Sequence, residues 1–169
     1  MLYREEGDLF ATTHQAYAHG VNAKGVMDAG IAQGFKRRYP EMFAEYAKRC
    51  EQGTLKPGDV YFYYPSPARP AIFNLVTQSG LSNARPEALY ASIGRMHRLA
   101  QEYDIKDIAM PLIGCGQGGL FKEDLLVALD IFTYDPHRHV TVYSPKRIPQ
   151  KVVLKAQRKD IIPPPPSPD

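Results

Sequence analysis

The sequence predicts an α/β fold of three layers (α/β/α), with a mixed, largely parallel central sheet and helices on both of its faces. Three observations predict it. Short β-rich runs alternate with segments of helical periodicity along most of the chain. Two strand-to-helix connections are rich in glycine, at the positions where open parallel sheets carry their ligand loops. Finally, 169 residues, 44% of them apolar, fit one domain with an ordinary core.

The elements follow in order. Residues 16–21 (AYAHGV) read as a strand, and a glycine-punctuated loop then runs into a helix over residues 29–38. A second helix covers residues 40–50 (PEMFAEYAKRC). Pro40 stands at or near its start, where a missing N–H costs little, and Met42, Phe43, Tyr46 and Ala47 form its apolar stripe. DVYFYY (59–64) and AIFNLV (71–76) are β-rich runs joined by the proline-rich PSPARP, which predicts a strand pair. Residues 86–103 carry helical spacing through Leu89, Ile93, Met96, Leu99 and Ala100. IKDIAMPLI (105–113) is a strand, residues 122–132 a helix, and HVTVYS (139–144) the last strand. There is no internal repeat. One domain is expected over residues 1–145, followed by a tail over residues 146–169.

Charge separates the two parts. The formal net charge is +3, yet six of the 21 basic residues and only two of the 18 acids lie beyond Pro145. Residues 1–145 are therefore close to neutral, and the basic character belongs to the tail. Its end, IIPPPPSPD, suits polyproline II rather than a helix or central strand. Such a tail is either a solvated terminus or a docking strip for nucleic acid or a partner. The basic helix end FKRRYP (35–40) is a second place where nucleic acid could bind, although cations there also suit the helix dipole.

No apolar stretch approaches the ~20 residues a membrane span needs, so no membrane partner is expected. The acidic MLYREEGDLF carries no visible secretory signal. Two cysteines, Cys50 and Cys115, make neither a disulfide framework nor a zinc pattern, and a cytoplasmic location is expected. Five histidines form no metal constellation; HRH (137–139) sets two side chains on one strand face without a third ligand, so neither metal nor cofactor is expected. A Cys115–His19 nucleophile pair is conceivable, but a cysteine in a glycine loop is more often a small packing residue.

The glycine loops carry the chemistry. GVNAKGVMDAGIAQG (20–34) and GCGQGG (114–119) both lie between a strand and a helix. The second contains GxGxxG through Gly114, Gly116 and Gly119. A dinucleotide fold would also need an acid about 20 residues on, whereas His139 and Arg138 stand there. A Walker A loop is excluded because no GK[ST] follows. What the loops offer is bare backbone N–H groups beside a helix N-terminus, a cradle for phosphate. Two converging loops would suit a diphosphate; tight turns alone are the plainer alternative.

The stretches GDLF, GVNAKGVMDAGIAQGFKRRYPE, NLVTQSG and IAMPLIGCGQGGL, met in that order, resemble the macro domain family. The likeness runs from Leu2 to about Ser144. It is nearest to the branch containing DNA ADP-ribosyl glycohydrolase antitoxins and the human terminal-ADP-ribose protein glycohydrolase. The resemblance implies the three-layer macro fold and a ligand that is ADP-ribose, free or attached to protein or DNA. It implies that Asp8 accepts from the adenine amino group, with a Leu9 backbone contact beside it, and that Tyr143 stacks on adenine. Gly25, Val26, Met27, Asp28, Ala29, Gly30 and Ile31 would enclose the diphosphate and distal ribose from one side. Gly114, Cys115, Gly116, Gln117, Gly118, Gly119 and Leu120 would do so from the other, with Thr77 nearby and Asn22 approaching the distal ribose. Each has a plainer role available: Asp8 as a turn cap, Tyr143 as sheet packing, Asn22 as an anchor of its own loop.

Two departures bear on activity. Relatives in this branch carry a lysine in the segment matching VTQSG, where this chain has Gln78 and Ser79; glutamine cannot form a Schiff base. The human enzyme has an aspartate in its second glycine loop, where Gly118 stands here. Asp28, by contrast, matches an aspartate of macro domains that remove mono-ADP-ribose from acidic side chains. With Asn22 it is the expected catalytic pair, ordering or deprotonating water. Two functions are thus open: an ADP-ribosyl hydrolase, or a non-catalytic ADP-ribose reader.

Overall fold

The computed structural model describes residues 1–81 and 83–145. The tail expected over residues 146–169 lies outside the described residues. Six strands form one sheet, β1 (Leu2–Glu6), β2 (Ala16–Asn22), β3 (Val60–Tyr63), β4 (Ala71–Gln78), β5 (Asp107–Pro111) and β6 (His139–Ser144), in the spatial order β1-β6-β5-β2-β4-β3. Every pairing is parallel except β3 with β4, the strand pair joined by the proline-rich turn.

Helices α1 (Gly30–Arg38) and α2 (Pro40–Glu51) cover one face; α3 (Pro86–Glu102) and α4 (Lys122–Ala128) cover the other. β4 serves both. Ala71, Phe73 and Leu75 join the α3/α4 core, whereas Ile72 and Val76 join the α1/α2 core, so a strand buried on both faces reads as a continuous apolar run. The expected three-layer, largely parallel architecture is the one observed.

Beyond shifts of one or two residues at element ends, three differences stand out. β1 was not anticipated: LYREE is an edge strand paired only with β6, four of its five residues are exposed, and it carries no alternation to read. β5 is shorter than the expected 105–113, because Pro111 ends it; a proline inside a supposed central strand is the signal for that. The expected helix over 122–132 becomes α4 and a 3-10 turn, Leu129–Phe132. The HRH pair also falls apart, since His137 precedes β6 and is exposed while His139 begins the strand. Among the described residues no helix is long and apolar enough to cross a membrane.

His19, mid-strand in β2, has no exposure at all. Its Nε2 lies 2.7 Å from Asn74 Oδ1, and its ring stacks on Phe35 with 4.1 Å between centroids. Asn74 Nδ2 donates to the Tyr61 carbonyl at 3.0 Å, so Oδ1 is the acceptor and His19 is the neutral Nε2–H tautomer. Burial pushes its pKa down to about 4, against a smaller upward pull from Asn74. The unfolded chain takes up that proton near pH 6.5 and the native state does not until about 4. Stability is therefore full above pH 6.5 and falls as pH drops towards 4, by about 3 kcal/mol in all for this one group. Urea unfolding across that window, with the His19 ring titrating near 4 by NMR, checks it.

Candidate active site

The carboxyl ends of β2, β4 and β5 open into a cleft. At the end of β2 the register shifts between Val21 and Asn22, and Asn22 pairs with Gln78. The Asn22 side chain then organises the first glycine loop. Its Oδ1 accepts from Lys24 N at 2.9 Å and Val26 N at 3.3 Å, and its Nδ2 donates to Val26 O at 2.9 Å. From α2, the Tyr46 hydroxyl reaches both the Asn22 carbonyl (2.7 Å) and Oδ1 (2.9 Å). Burial raises the Tyr46 pKa, which keeps that hydroxyl a donor. Asn22 lines the cleft, and it is also the peg on which the loop hangs.

The loop delivers Val26, Met27 and Asp28 to the cleft wall and then starts α1. Ala29, at the helix N-cap, has no side-chain capping bond, so the first N–H groups of α1 are left for another acceptor. Asp28 is exposed, and its Oδ1 accepts from Lys36 Nζ at 2.7 Å two turns down α1.

The second loop leaves β5 and folds back on itself. Leu120 N donates to Gly114 O at 2.9 Å and Gly119 N to Gly116 O at 3.1 Å. Gly114 has φ +78° with the Leu120 side chain against it. At Gly118 a Cβ would sit 2.6 Å from Gly114 O and 2.7 Å from Ala84 Cβ, and Gly118 O accepts from Ala84 N at 2.9 Å. No side chain fits there unless the loop moves.

Between the loops lies a cavity of about 700 Å³, floored by Gly20, Thr77 and Ile113. A second cavity of about 820 Å³ adjoins it and shares Ile31 and Pro111 as walls. Asp8, Leu9, Phe10 and Tyr143 line this second one. Asp8 caps the 3-10 turn Leu9–Ala11, its Oδ1 accepting from Phe10 N at 2.9 Å, which leaves the other carboxylate oxygen for a ligand. The capping role and the ligand role are compatible.

The anticipated residues thus divide. Asp8, Leu9 and Tyr143 share the second cavity with Ile31. Asn22, Val26, Met27, Asp28, Ala29, Gly30, Thr77, Gly114, Gly116, Gln117 and Gly118 line the first, again with Ile31. Gly25, Cys115, Gly119 and Leu120 line neither. Gly25 packs against Ala47 of α2, and Leu120 covers Gly114. Cys115 packs on the α3/α4 core, with its Sγ 3.6 Å from Ile113 O and its thiol pKa raised by burial. His19 lies on the opposite face, so the two make no nucleophile pair. Of the two residues matched to the segment of the branch's lysine, Gln78 lines the cleft and Ser79 does not. Gly20, Phe10, Leu81 and Pro111 line the cavities without having been singled out from the sequence; Gly20, Phe10 and Pro111 lie inside the quoted motifs, and Leu81 follows NLVTQSG directly.

Comparison with known proteins places the chain in a family. A curated relative from Mycobacterium tuberculosis, named DNA ADP-ribosyl glycohydrolase, is 34% identical over 152 residues, covering 86% of this chain and 42% of that protein. The chain therefore spans less than half the length of that bacterial relative. The human protein named ADP-ribose glycohydrolase OARD1 is 28% identical over 144 residues, covering 82% of this chain and 88% of that one. Among solved structures, the macrodomain of Mycobacterium tuberculosis DarG superposes with a TM-score of 0.80 at 33% identity, over 86% of this chain and 99% of that one. The family model for the macro domain matches residues 18–128, from within β2 to the end of α4, and the chain belongs to the macro domain family.

Proposed function

We propose that this chain binds ADP-ribose and hydrolyses the bond that joins it, at the distal ribose, to a modified protein or DNA or to a 1″ ester or phosphate. One observation carries the reading: the cavity between the two glycine loops and the Asp8/Tyr143 cavity adjoin over the ends of parallel strands, with Ile31 and Pro111 as common walls. Adenine takes the second cavity, with its amino group on Asp8. The diphosphate takes the N–H groups at the start of α1 and in the stretch 116–118. The distal ribose then lies towards Asn22 and Asp28. There Asp28 accepts a proton as water attacks the anomeric carbon, and the leaving group departs with the bonding electron pair and takes up a proton from solvent, which Asp28 returns when its carboxyl ionises again. The names of the relatives support this activity, and the two half-buried, unpaired thiols suit a reducing cytoplasm.

A binding-only reading is favoured by two features. Gln78, in the segment where the resemblance implies a lysine, lines the cleft, and the Asp28 carboxylate is tied to Lys36. Turnover separates the readings: release of ADP-ribose from modified protein, modified DNA or ADP-ribose-1″-phosphate supports hydrolysis. Tight binding with no turnover on any of the three leaves a reader. Binding itself is tested by calorimetry with ADP-ribose. Asp8→Ala is expected to weaken it roughly tenfold, the worth of one hydrogen bond to a charged group, with little effect on ribose 5-phosphate.

A further inference from the structure

Beneath the nucleobase cavity, Tyr143 ends a chain of three polar side chains, and the other two, His14 and Asp107, have no role in the chemistry above. His14, in the turn before β2, has only 12% of its side chain exposed. Its Nδ1 lies 3.0 and 2.9 Å from the two carboxylate oxygens of Asp107, the first residue of β5. Its Nε2 lies 3.1 Å from the hydroxyl of Tyr143. A carboxylate only accepts, so the imidazole proton sits on Nδ1, and in the neutral ring Nε2 is left as an acceptor. In that neutral form Tyr143 donates to His14. Asp107 settles the tautomer, and the tautomer sets the direction of the bond.

The turn that presents His14 is itself held. Tyr17 Oη donates to Thr12 O at 2.6 Å, Thr12 lines the nucleobase cavity, and the Tyr17 ring meets the His14 ring edge-on at 5.9 Å. On the other side, Tyr143 has its backbone in β6, which leaves the ring two free torsions. A bond at the far end of the ring fixes the first, while rotation about the Cβ–Cγ axis leaves the hydroxyl oxygen in place and is restrained only by the preference of the phenol O–H for the ring plane. A ring fixed before the ligand arrives loses less freedom on binding, which appears as affinity.

We infer that His14, anchored by Asp107, is a positioning residue for nucleobase recognition, holding in place the Tyr143 ring against which the base of ADP-ribose stacks. The inference rests on the reading of that cavity as the adenine site. His14 does not itself line the cavity; it acts through the tyrosine hydroxyl.

Two replacements of similar size separate positioning from simple packing. Asparagine reproduces the reach of Nδ1, so His14→Asn keeps a donor for Asp107 and loses Tyr143. Glutamine reproduces the reach of Nε2, so His14→Gln keeps an acceptor for Tyr143. By calorimetry with ADP-ribose, His14→Asn and Tyr143→Phe are each expected to raise Kd about three- to tenfold, the equivalent of one net hydrogen bond. The double variant should be no weaker than either single one, and His14→Gln should stay within about twofold of wild type. Additive losses, a His14→Gln variant as weak as His14→Asn, or a folded Tyr143→Phe variant with wild-type affinity would each overturn the inference. Should His14→Asn fail to fold, Tyr143→Phe and His14→Gln still decide it. Absence of saturable heat in the wild type would instead sink the adenine-site reading, and this inference with it, a result distinct from variants that merely match the wild type.

Discussion

Asp28→Asn is expected to lower turnover by about 100- to 10,000-fold, on whichever ADP-ribosyl substrate the wild type cleaves, the range a general base supplies. ADP-ribose affinity should stay within a few-fold. The substitution keeps shape and an acceptor for Lys36, and removes only the charge and the proton affinity. The Lys36 contact makes the test sharper. An amine 2.7 Å from Oδ1 competes with water for the carboxylate, yet the Asp28 side chain is 67% exposed. Exposed pairs of this kind are worth at most about 1 kcal/mol. A bound substrate can break such a pair. Lys36→Met should accordingly leave turnover unchanged or raise it up to about fivefold, and the gain should vanish in the Asp28→Asn background. Single-turnover release of ADP-ribose measures both. Full activity in Asp28→Asn would move the water-activating group elsewhere, and Asn22, whose amide is committed to the loop, would be no substitute.

Particular residues explain what the sequence made legible. The helices α1, α2 and α3 bury stripes at helical spacing, and β4 reads as a run of apolar residues because both its faces are covered. The loops were legible because glycine clusters are rare outside turns and cradles. Contacts between elements were not. Nothing in the chain order says that Tyr46, 24 residues downstream, holds Asn22. Nor does it say that Ala84 fills the space a Gly118 side chain would need, or that His14 meets Asp107 and Tyr143. β1 escaped notice for the opposite reason: an edge strand of mostly charged, exposed residues gives up the alternation by which strands are read. The site's polar residues also proved to have two roles at once, so that Asp8 caps a turn beside the cavity it lines.

The largest stability effect is expected from Phe35→Ala, about 3–5 kcal/mol by urea unfolding at neutral pH. Phe35 is fully buried in α1 and joins four aromatic side chains: its ring lies 4.1 Å from His19, 4.9 Å from Phe10, 6.3 Å from Tyr39 and 6.4 Å from Tyr17. These partners come from β2, the 3-10 turn beside the nucleobase cavity and the α1–α2 junction. The packing that holds α1 to the sheet thus also sets where its N-terminus meets the cleft. Truncation leaves a cavity beside His19, and water entering it would restore part of the solvation that burial removed. The His19 pKa should then climb from about 4 back towards 6.5, flattening the loss of stability over that pH window even as the fold becomes weaker overall. A large drop in stability at pH 7 with a shallower slope below pH 6.5 is the expected joint signature. A drop under about 1 kcal/mol, the range of surface substitutions, would mean that α1 is not seated on β2 through this ring.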